Sequence, residues 1–202
     1  MIGELGLIYV FTGEGKGKTS AALGVATRAL LLEKRVVWVA FYKQESWGLS
    51  ESKLKDKFPN LTMYFGGKGF RINAQTNQRI NESTVIAKVA GGAVVVDTAS
   101  EEEHKTAAKQ CLQQAEQALK GKPFLLVLDE VLNAVSDGLV ETSMVMELLS
   151  NRGESHVILT GRHDPAKADV TGILEQADLV TECTKIKHPY DTGKLAVAGL
   201  DF

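Results

Sequence analysis

The sequence predicts an α/β fold, a doubly wound and mainly parallel sheet flanked by helices, and three observations carry that expectation. Short apolar runs alternate with stretches of helical periodicity along most of the chain. The first run passes directly into a glycine-rich turn and then a helix. The runs are nearly continuous in apolar residues, as strands covered on both faces require, instead of alternating polar with apolar.

Leu5 to Phe11 is the first such run, and the glycine-rich turn follows it at once. From Thr19 to Lys34 the residues Ala22, Leu23, Ala26, Ala29 and Leu30 recur at helical spacing, and Arg35 to Phe41 is again strand-like, which completes a βαβ unit. Leu61 to Phe65 leads into Gly66-Gly67-Lys68-Gly69, a loop and not the interior of an element. Thr84 to Ala90 and Ala93 to Ala99 are β-rich runs joined through Gly91-Gly92, which predicts a hairpin inserted at 84–99; a short helix from Glu82 to Val89 followed by one strand is the alternative. Ser100 and Glu103 form a capping box, with Ala108, Cys111, Leu112, Ala115 and Leu119 as the buried stripe of the helix that follows. Gly121 and Pro123 end that helix, and Phe124 to Leu128, His156 to Thr160 and Leu179 to Thr184 supply further strands between helical stretches.

With 202 residues, 44% hydrophobic and 24% charged, the chain is expected to form one α/β domain over 1–202. A net charge of -2 with dispersed lysines and arginines argues against nucleic acid as a partner. Cys111 and Cys183 lack metal or redox spacing and are expected as buried free thiols, in a helix and a strand. The first residues do not read as a signal peptide, and no apolar run reaches the roughly 18 residues of a membrane span, so a reducing cytoplasm is the expected location and no membrane the expected partner.

Gly13-Glu14-Gly15-Lys16-Gly17-Lys18-Thr19 stands between the first strand and first helix, where backbone N–H groups and a helix N-terminus hold phosphates. This is a P-loop, and it points to ATP. Thr12 through Ser20 are the candidate nucleotide contacts, with Lys18 as the charge on the phosphates and Thr19 as a hydroxyl for Mg2+. The usual spacing puts the first glycine at position 12, which is Thr12, so Gly13 arrives one residue late. Asp129-Glu130 closes an apolar strand at the edge where open α/β sheets bind ligands, and these carboxylates are the candidate metal partners of Thr19. Thr160-Gly161-Arg162 ends another strand at that edge, and Arg162 serves either the phosphates or a structural ion pair. His163 and His188 lack ligand-spaced partners, and His104 and His156 read as surface or helix-entry residues.

These blocks, in this order, resemble the P-loop ATP:corrinoid adenosyltransferases of cobalamin biosynthesis and salvage. The resemblance rests on Val10-Phe11-Thr12-Gly13 with Gly15-Lys16-Gly17-Lys18-Thr19, whose late glycine is the family's spacing, on Arg28-Ala29, Val127-Leu128-Asp129-Glu130, Thr160-Gly161-Arg162, Ala177-Asp178, Lys187-His188 with Asp191 and Gly193, and Gly199-Leu200-Asp201-Phe202. It implies a P-loop NTPase-like fold and attack of Co(I) on C5′ of ATP with release of triphosphate. It further implies Lys43 as an ATP contact, Gly69 and Phe70 as corrinoid contacts, and Phe70 in catalysis as the aromatic beneath the corrin. An electron-donating flavoprotein reductase and a homodimer are the partners implied. Ala40 stands where many relatives carry glutamine, and Ile72 where better-known members carry an aromatic residue. A P-loop kinase or other phosphotransferase, and a nucleotide-responsive corrinoid-binding module without turnover, are the alternatives.

Overall fold

Each apolar run becomes a strand because its neighbours on both faces are helices or other apolar surface. In the computed structural model, residues 4–69, 85–88, 94–97, 99–194, 197 and 199–200 are described. The elements are β1 (Ile8–Thr12), α1 (Lys18–Leu31), β2 (Val36–Ala40), β3 (Leu61–Phe65), β4 (Val85–Lys88), β5 (Val94–Asp97), α2 (Glu101–Lys120), β6 (Leu125–Asp129), α3 (Val131–Ser136), α4 (Thr142–Ser150), β7 (His156–Thr160), α5 (Thr171–Gln176) and β8 (Leu179–Glu182). Short 3-10 turns span Glu45–Trp47, Ser50–Asp56 and Pro189–Thr192.

Six strands form one sheet in the order β3-β2-β6-β7-β1-β8, and every neighbouring pair is parallel. β4 and β5 pair antiparallel in a ladder of their own, Val85 opposite Asp97, within the stretch where the sequence predicts the hairpin. Its connecting Gly91-Gly92 lies outside the described residues, as do Phe70 and Ile72.

The pleat divides the core in two. Val37, Val39, Leu126, Leu128, Val157 and Leu159 face α2, α3, α4 and α5, whereas Val36, Trp38, Leu125, Val127 and Ile158 face α1 with its Ala22, Ala26, Ala29 and Leu30. Both faces are covered, which is why the runs lack polar alternation. α2 begins as the sequence predicts: Ser100 Oγ accepts from the Glu103 amide at 3.2 Å, and the Glu103 carboxylate accepts from the Ser100 amide at 2.7 Å.

Several expectations need correction. His104 stands at the entry to α2, one of the two expected places, but it is buried on the helix's inner side and is not a surface residue. Cys111 is buried as expected, but Cys183 lies beyond the last residue of β8 and is only half-buried, because the chain there turns toward the glycine loop.

Candidate active site

Parallel strands all deliver their C-terminal ends to one edge, so residues far apart in sequence meet there. Read across that edge, β2 leads to Lys43, β6 ends at Asp129, β7 ends at Thr160, β1 ends at Thr12 and β8 leads to Cys183.

The glycine loop leaves β1 and closes on the start of α1. Gly13 sits at φ 97°, and a Cβ there would lie 2.6 Å from the Cys183 carbonyl oxygen, so no other residue fits without moving the chain after β8. The Gly15 amide donates to that same carbonyl at 2.6 Å, and the Cys183 amide donates back to the Thr12 carbonyl at 2.7 Å. Lys18 folds back into the loop and donates to the carbonyls of Gly13 and Gly15, each at 2.7 Å. Burial, reinforced by the charge of Arg162, lowers the Lys18 pKa against the opposing pull of Glu130. A cation so placed gains from any anion that enters the loop. Glu14, Lys16, Gly17 and Ser20 are exposed along the loop and the first turn, and burial lowers the Lys16 pKa as well.

Asp129 is fully buried and is the hub of the edge. Its Oδ1 accepts from Thr19 at 3.0 Å and from Thr160 at 2.7 Å, while Lys43 Nζ stands 2.9 Å from Oδ2. That last contact is an ion pair without an aligned hydrogen bond, which leaves Oδ2 a buried acceptor. Thr160 also accepts from the Glu130 amide at 2.9 Å and so holds Glu130 at φ 64°, a left-handed conformation uncommon for a residue with a side chain. Burial first, and the charge of Asp129 second, push the Glu130 carboxyl up to about 7, with Lys43, Lys18 and Arg162 pulling the other way.

Lys43 also contacts Glu51 Oε1 at 2.9 Å, and both are nearly buried. Burial alone would lower its pKa, but Asp129 and Glu51 outweigh that and hold it above the ordinary lysine range. The residue expected among the ATP contacts is thus engaged by carboxylates on either side. Arg162 is half-exposed and lies 3.6 Å from Glu14, a loose surface pair worth about 0–1 kcal/mol. Its backbone is better fixed, since the Arg162 amide donates to Asn133 Oδ1 at 2.6 Å. Gly69 is buried and donates its amide to the Tyr42 carbonyl at 3.0 Å, which holds it beside the residues that follow β2.

Besides the role of Thr160 as a partner of Asp129, three contributors escaped the sequence reading. His163 Nδ1 lies 3.0 Å from Thr12 Oγ1, Asn133 anchors the Arg162 turn, and Glu51 completes the Lys43 pair. The polar end of an apolar strand is the signal that could have marked Thr160 as more than a neighbour of Arg162. Glu51 carries none, since its partner lies across an irregular segment.

Thr19, Asp129 and Glu130 are hard oxygen donors gathered at one edge, so the donor chemistry fits Mg2+, with Asp129 Oδ2 already 2.9 Å from the Lys43 ammonium. Among the described residues no three His, Cys, Asp or Glu side chains are grouped to hold a metal unaided. Mg2+ at such sites takes its remaining ligands from phosphates and water.

The parallel order, the loop between β1 and α1, and the Thr19–Asp129 contact define a P-loop nucleotide-binding α/β protein. The sequence profile described as "ATP:corrinoid adenosyltransferase BtuR/CobO/CobP" matches residues 4–202. The chain belongs to the P-loop ATP:corrinoid adenosyltransferase family. The corrinoid adenosyltransferase of Escherichia coli K12 is 31% identical over 201 residues, covering 98% of this chain and 87% of that one. That of Pseudomonas aeruginosa is 30% identical over 201 residues, covering 98% and 85%. That of Salmonella typhimurium is 31% identical over 202 residues, covering 98% and 87%. Among solved structures, a KaiC-like protein of Pyrococcus horikoshii overlays with a TM-score of 0.44 and 15% identity, over 88% of this chain and 73% of that one. No helix among the described residues is long and apolar enough to cross a membrane.

Proposed function

We propose that the protein transfers the 5′-deoxyadenosyl group of ATP to the Co(I) centre of a corrinoid. The observation that carries this reading is the seating of Lys18 inside a glycine loop with the family's own late-glycine spacing, in a chain that matches the family from end to end. The step balances simply. The electron pair of Co(I) attacks C5′ and forms the cobalt–carbon bond, the C5′–O bond breaks, its pair leaves with triphosphate, and cobalt ends as Co(III). So strong a nucleophile needs no general base, and the protein's work is positioning and charge stabilisation.

The residues divide that work. Thr12 to Ser20 take the triphosphate, with Lys18 donating to the phosphate oxygens and Arg162 released from Glu14 to meet them. Thr19, Asp129 and Glu130 would hold Mg2+, which when bound would neutralise phosphate charge, and Asp129, shared by Thr19, Thr160 and Lys43, also fixes the Thr19 hydroxyl. Gly69 and Phe70 receive the corrinoid, with Phe70 beneath the ring. An electron-donating flavoprotein reductase supplies Co(I), and the working unit is a cytoplasmic homodimer.

The test is the spent nucleotide. Incubation with ATP, Mg2+ and chemically reduced cobalamin should yield triphosphate in step with the absorbance change of cobalt alkylation. Stoichiometric ADP without alkylated cobalt would reject the proposal in favour of a kinase.

A further inference from the structure

β1 and β7 are neighbours in the sheet, with Phe11 opposite Thr160, so the chain that leaves each strand leaves beside the other. From β1 comes the glycine loop, and from β7 the turn that carries Arg162. Thr12 is the last residue of β1, at the position where the usual loop spacing puts a glycine. A glycine there would bring no side chain, whereas Thr12 brings a hydroxyl into a place that leaves the residue 4% exposed. A hydroxyl so placed needs a partner, and His163 supplies it, with Nδ1 3.0 Å from Thr12 Oγ1. The contact is a hydrogen bond in either tautomer, Thr12 donating to a bare Nδ1 or accepting from a protonated one.

Both ends of this contact are fixed. The Thr12 carbonyl accepts from the Cys183 amide at 2.7 Å, and the carbonyl of the next residue, Gly13, accepts from Lys18 Nζ at 2.7 Å. A rotation at Thr12 therefore carries with it the peptide that seats Lys18. On the other side the Gly161 amide donates to the Phe11 carbonyl at 3.2 Å, the Arg162 amide to Asn133 Oδ1 at 2.6 Å and the Asp164 amide to Ser136 Oγ at 3.1 Å. A Cβ on Gly161 would lie 2.6 Å from Asn133 Oδ1, so the turn could not sit this close to α3 with a larger residue at φ 137°. These amides hold the backbone of residues 161–164 against β1 and α3. From the same turn the Arg162 side chain stands 3.6 Å from Glu14 of the loop, and His163 reaches the residue before Gly13.

We propose that His163 is a positioning residue for the nucleotide phosphates, its hold on Thr12 fixing the turn that carries Arg162 to the strand end from which the glycine loop departs. Lys18 and Arg162 then stand as cations on one preset frame, and a triphosphate meets them without first ordering either backbone. The inference rests on the reading of the glycine loop as the phosphate site, and it needs no corrinoid.

The test reads the binding of inorganic triphosphate and of ATP, each with Mg2+, by calorimetry on the full chain. His163→Ala should weaken both by the same factor, about three- to tenfold, the size of one hydrogen bond. Its Tm should stay within a few degrees of the parent's. Two further variants separate the ring nitrogens, because the carboxamide of asparagine takes the place of Nδ1 and that of glutamine the place of Nε2. His163→Asn should recover most of the parent affinity, and His163→Gln should resemble His163→Ala. Thr12→Val removes the hydroxyl with little change of shape, and combined with His163→Ala it should bind triphosphate no more weakly than the weaker of the two single variants.

Unchanged triphosphate affinity in His163→Ala overturns the proposal, whether or not Tm falls, since a fall in Tm alone makes the contact a structural one. Recovery by His163→Gln in place of His163→Asn also overturns it, because the ring would then meet the phosphates through Nε2. Additive losses in the double variant mean that His163 acts independently of Thr12, and a loss for ATP without one for triphosphate means that it acts on the adenosine; either result rejects the role. A parent that binds neither ligand overturns the phosphate site and the positioning role together. The adenosyltransferase reading fails separately: if the parent releases ADP and alkylates no cobalt while the triphosphate results stand as expected, that reading falls and the role of His163 is supported.

Discussion

Thr160→Val removes one hydroxyl from the centre of the site and little else. Thr160 is fully buried, and its hydroxyl donates to Asp129 Oδ1 at 2.7 Å while accepting from the Glu130 amide at 2.9 Å. A buried hydrogen bond to a charged group contributes about 1.5–3 kcal/mol. The Glu130 amide is only part-buried, so water recovers some of its loss, and about 1 kcal/mol is a fair figure for that half. Valine fills nearly the same space, so no cavity adds to the cost. The sum is about 3 kcal/mol, or a fall in Tm of roughly 6–12 °C for a chain of this size. Urea unfolding should show it as a lower midpoint with an unchanged slope. Asp129 keeps Thr19 and Lys43, but Glu130 loses the contact that holds its left-handed backbone, so affinity for Mg·ATP should fall by roughly tenfold and affinity for ATP without metal by less. A stability loss under about 0.5 kcal/mol together with unchanged Mg·ATP affinity would refute the view of Asp129 as a hub held by Thr160.

Lys18→Ala should abolish ATP binding by calorimetry with Tm unchanged to within a few degrees, because the partners it loses are carbonyls of the loop itself. Glu130 carries a pH signature in the absence of metal and nucleotide: its folded pKa of about 7 lies above the ordinary carboxylate value of 4.5, so the protonated acid favours the native state below about pH 4.5 and that contribution is lost as pH rises through 7. Glu130→Gln should remove this part of the pH dependence and raise the Tm of the free protein at pH 8, and a profile identical to the parent's would contradict it. The Cys111 thiol is pushed up to about 12 by burial, so a thiol reagent at pH 8 should label only the half-buried Cys183 in the native protein and both cysteines in urea. Rapid native labelling of both would contradict the packing around α2.

The fold was legible because its signals are local and its central strands are buried throughout. β2 and β6 are buried at every position, so Val36 to Ala40 and Leu125 to Asp129 could announce themselves as unbroken apolar runs. The capping box at Ser100 likewise needs only four consecutive residues to be read, and the structure forms both of its hydrogen bonds. His104 misled because a histidine in a stretch of glutamates looks solvated, whereas helical phase carries it to the inner stripe with Ala108 and Cys111. Cys183 misled because the β-rich pattern runs on past Glu182 while the backbone there turns to accept the Gly15 amide.

The site was legible only in its phosphate half, and strand order explains the limit. The glycine loop is contiguous, so its place between β1 and α1 can be read from spacing. Asp129 could be inferred to lie near it, but whether Lys43 faces the nucleotide or Asp129 depends on β2 being the neighbour of β6, which no local pattern encodes. Ala40 makes the same point from the other direction. Its side chain is fully buried in the cluster with Phe11, Ala22 and Trp38 on the α1 side of the sheet, and its carbonyl accepts the Gly66 amide. At this position the backbone serves the loop stem and the side chain serves the core, so polar contact with a ligand has to come from the residues that follow β2. Of these, Lys43 is already paired with Asp129 on one side and Glu51 on the other, so a direct contact from Lys43 to ATP, which the sequence led one to expect, would have to draw its ammonium away from two nearly buried carboxylates.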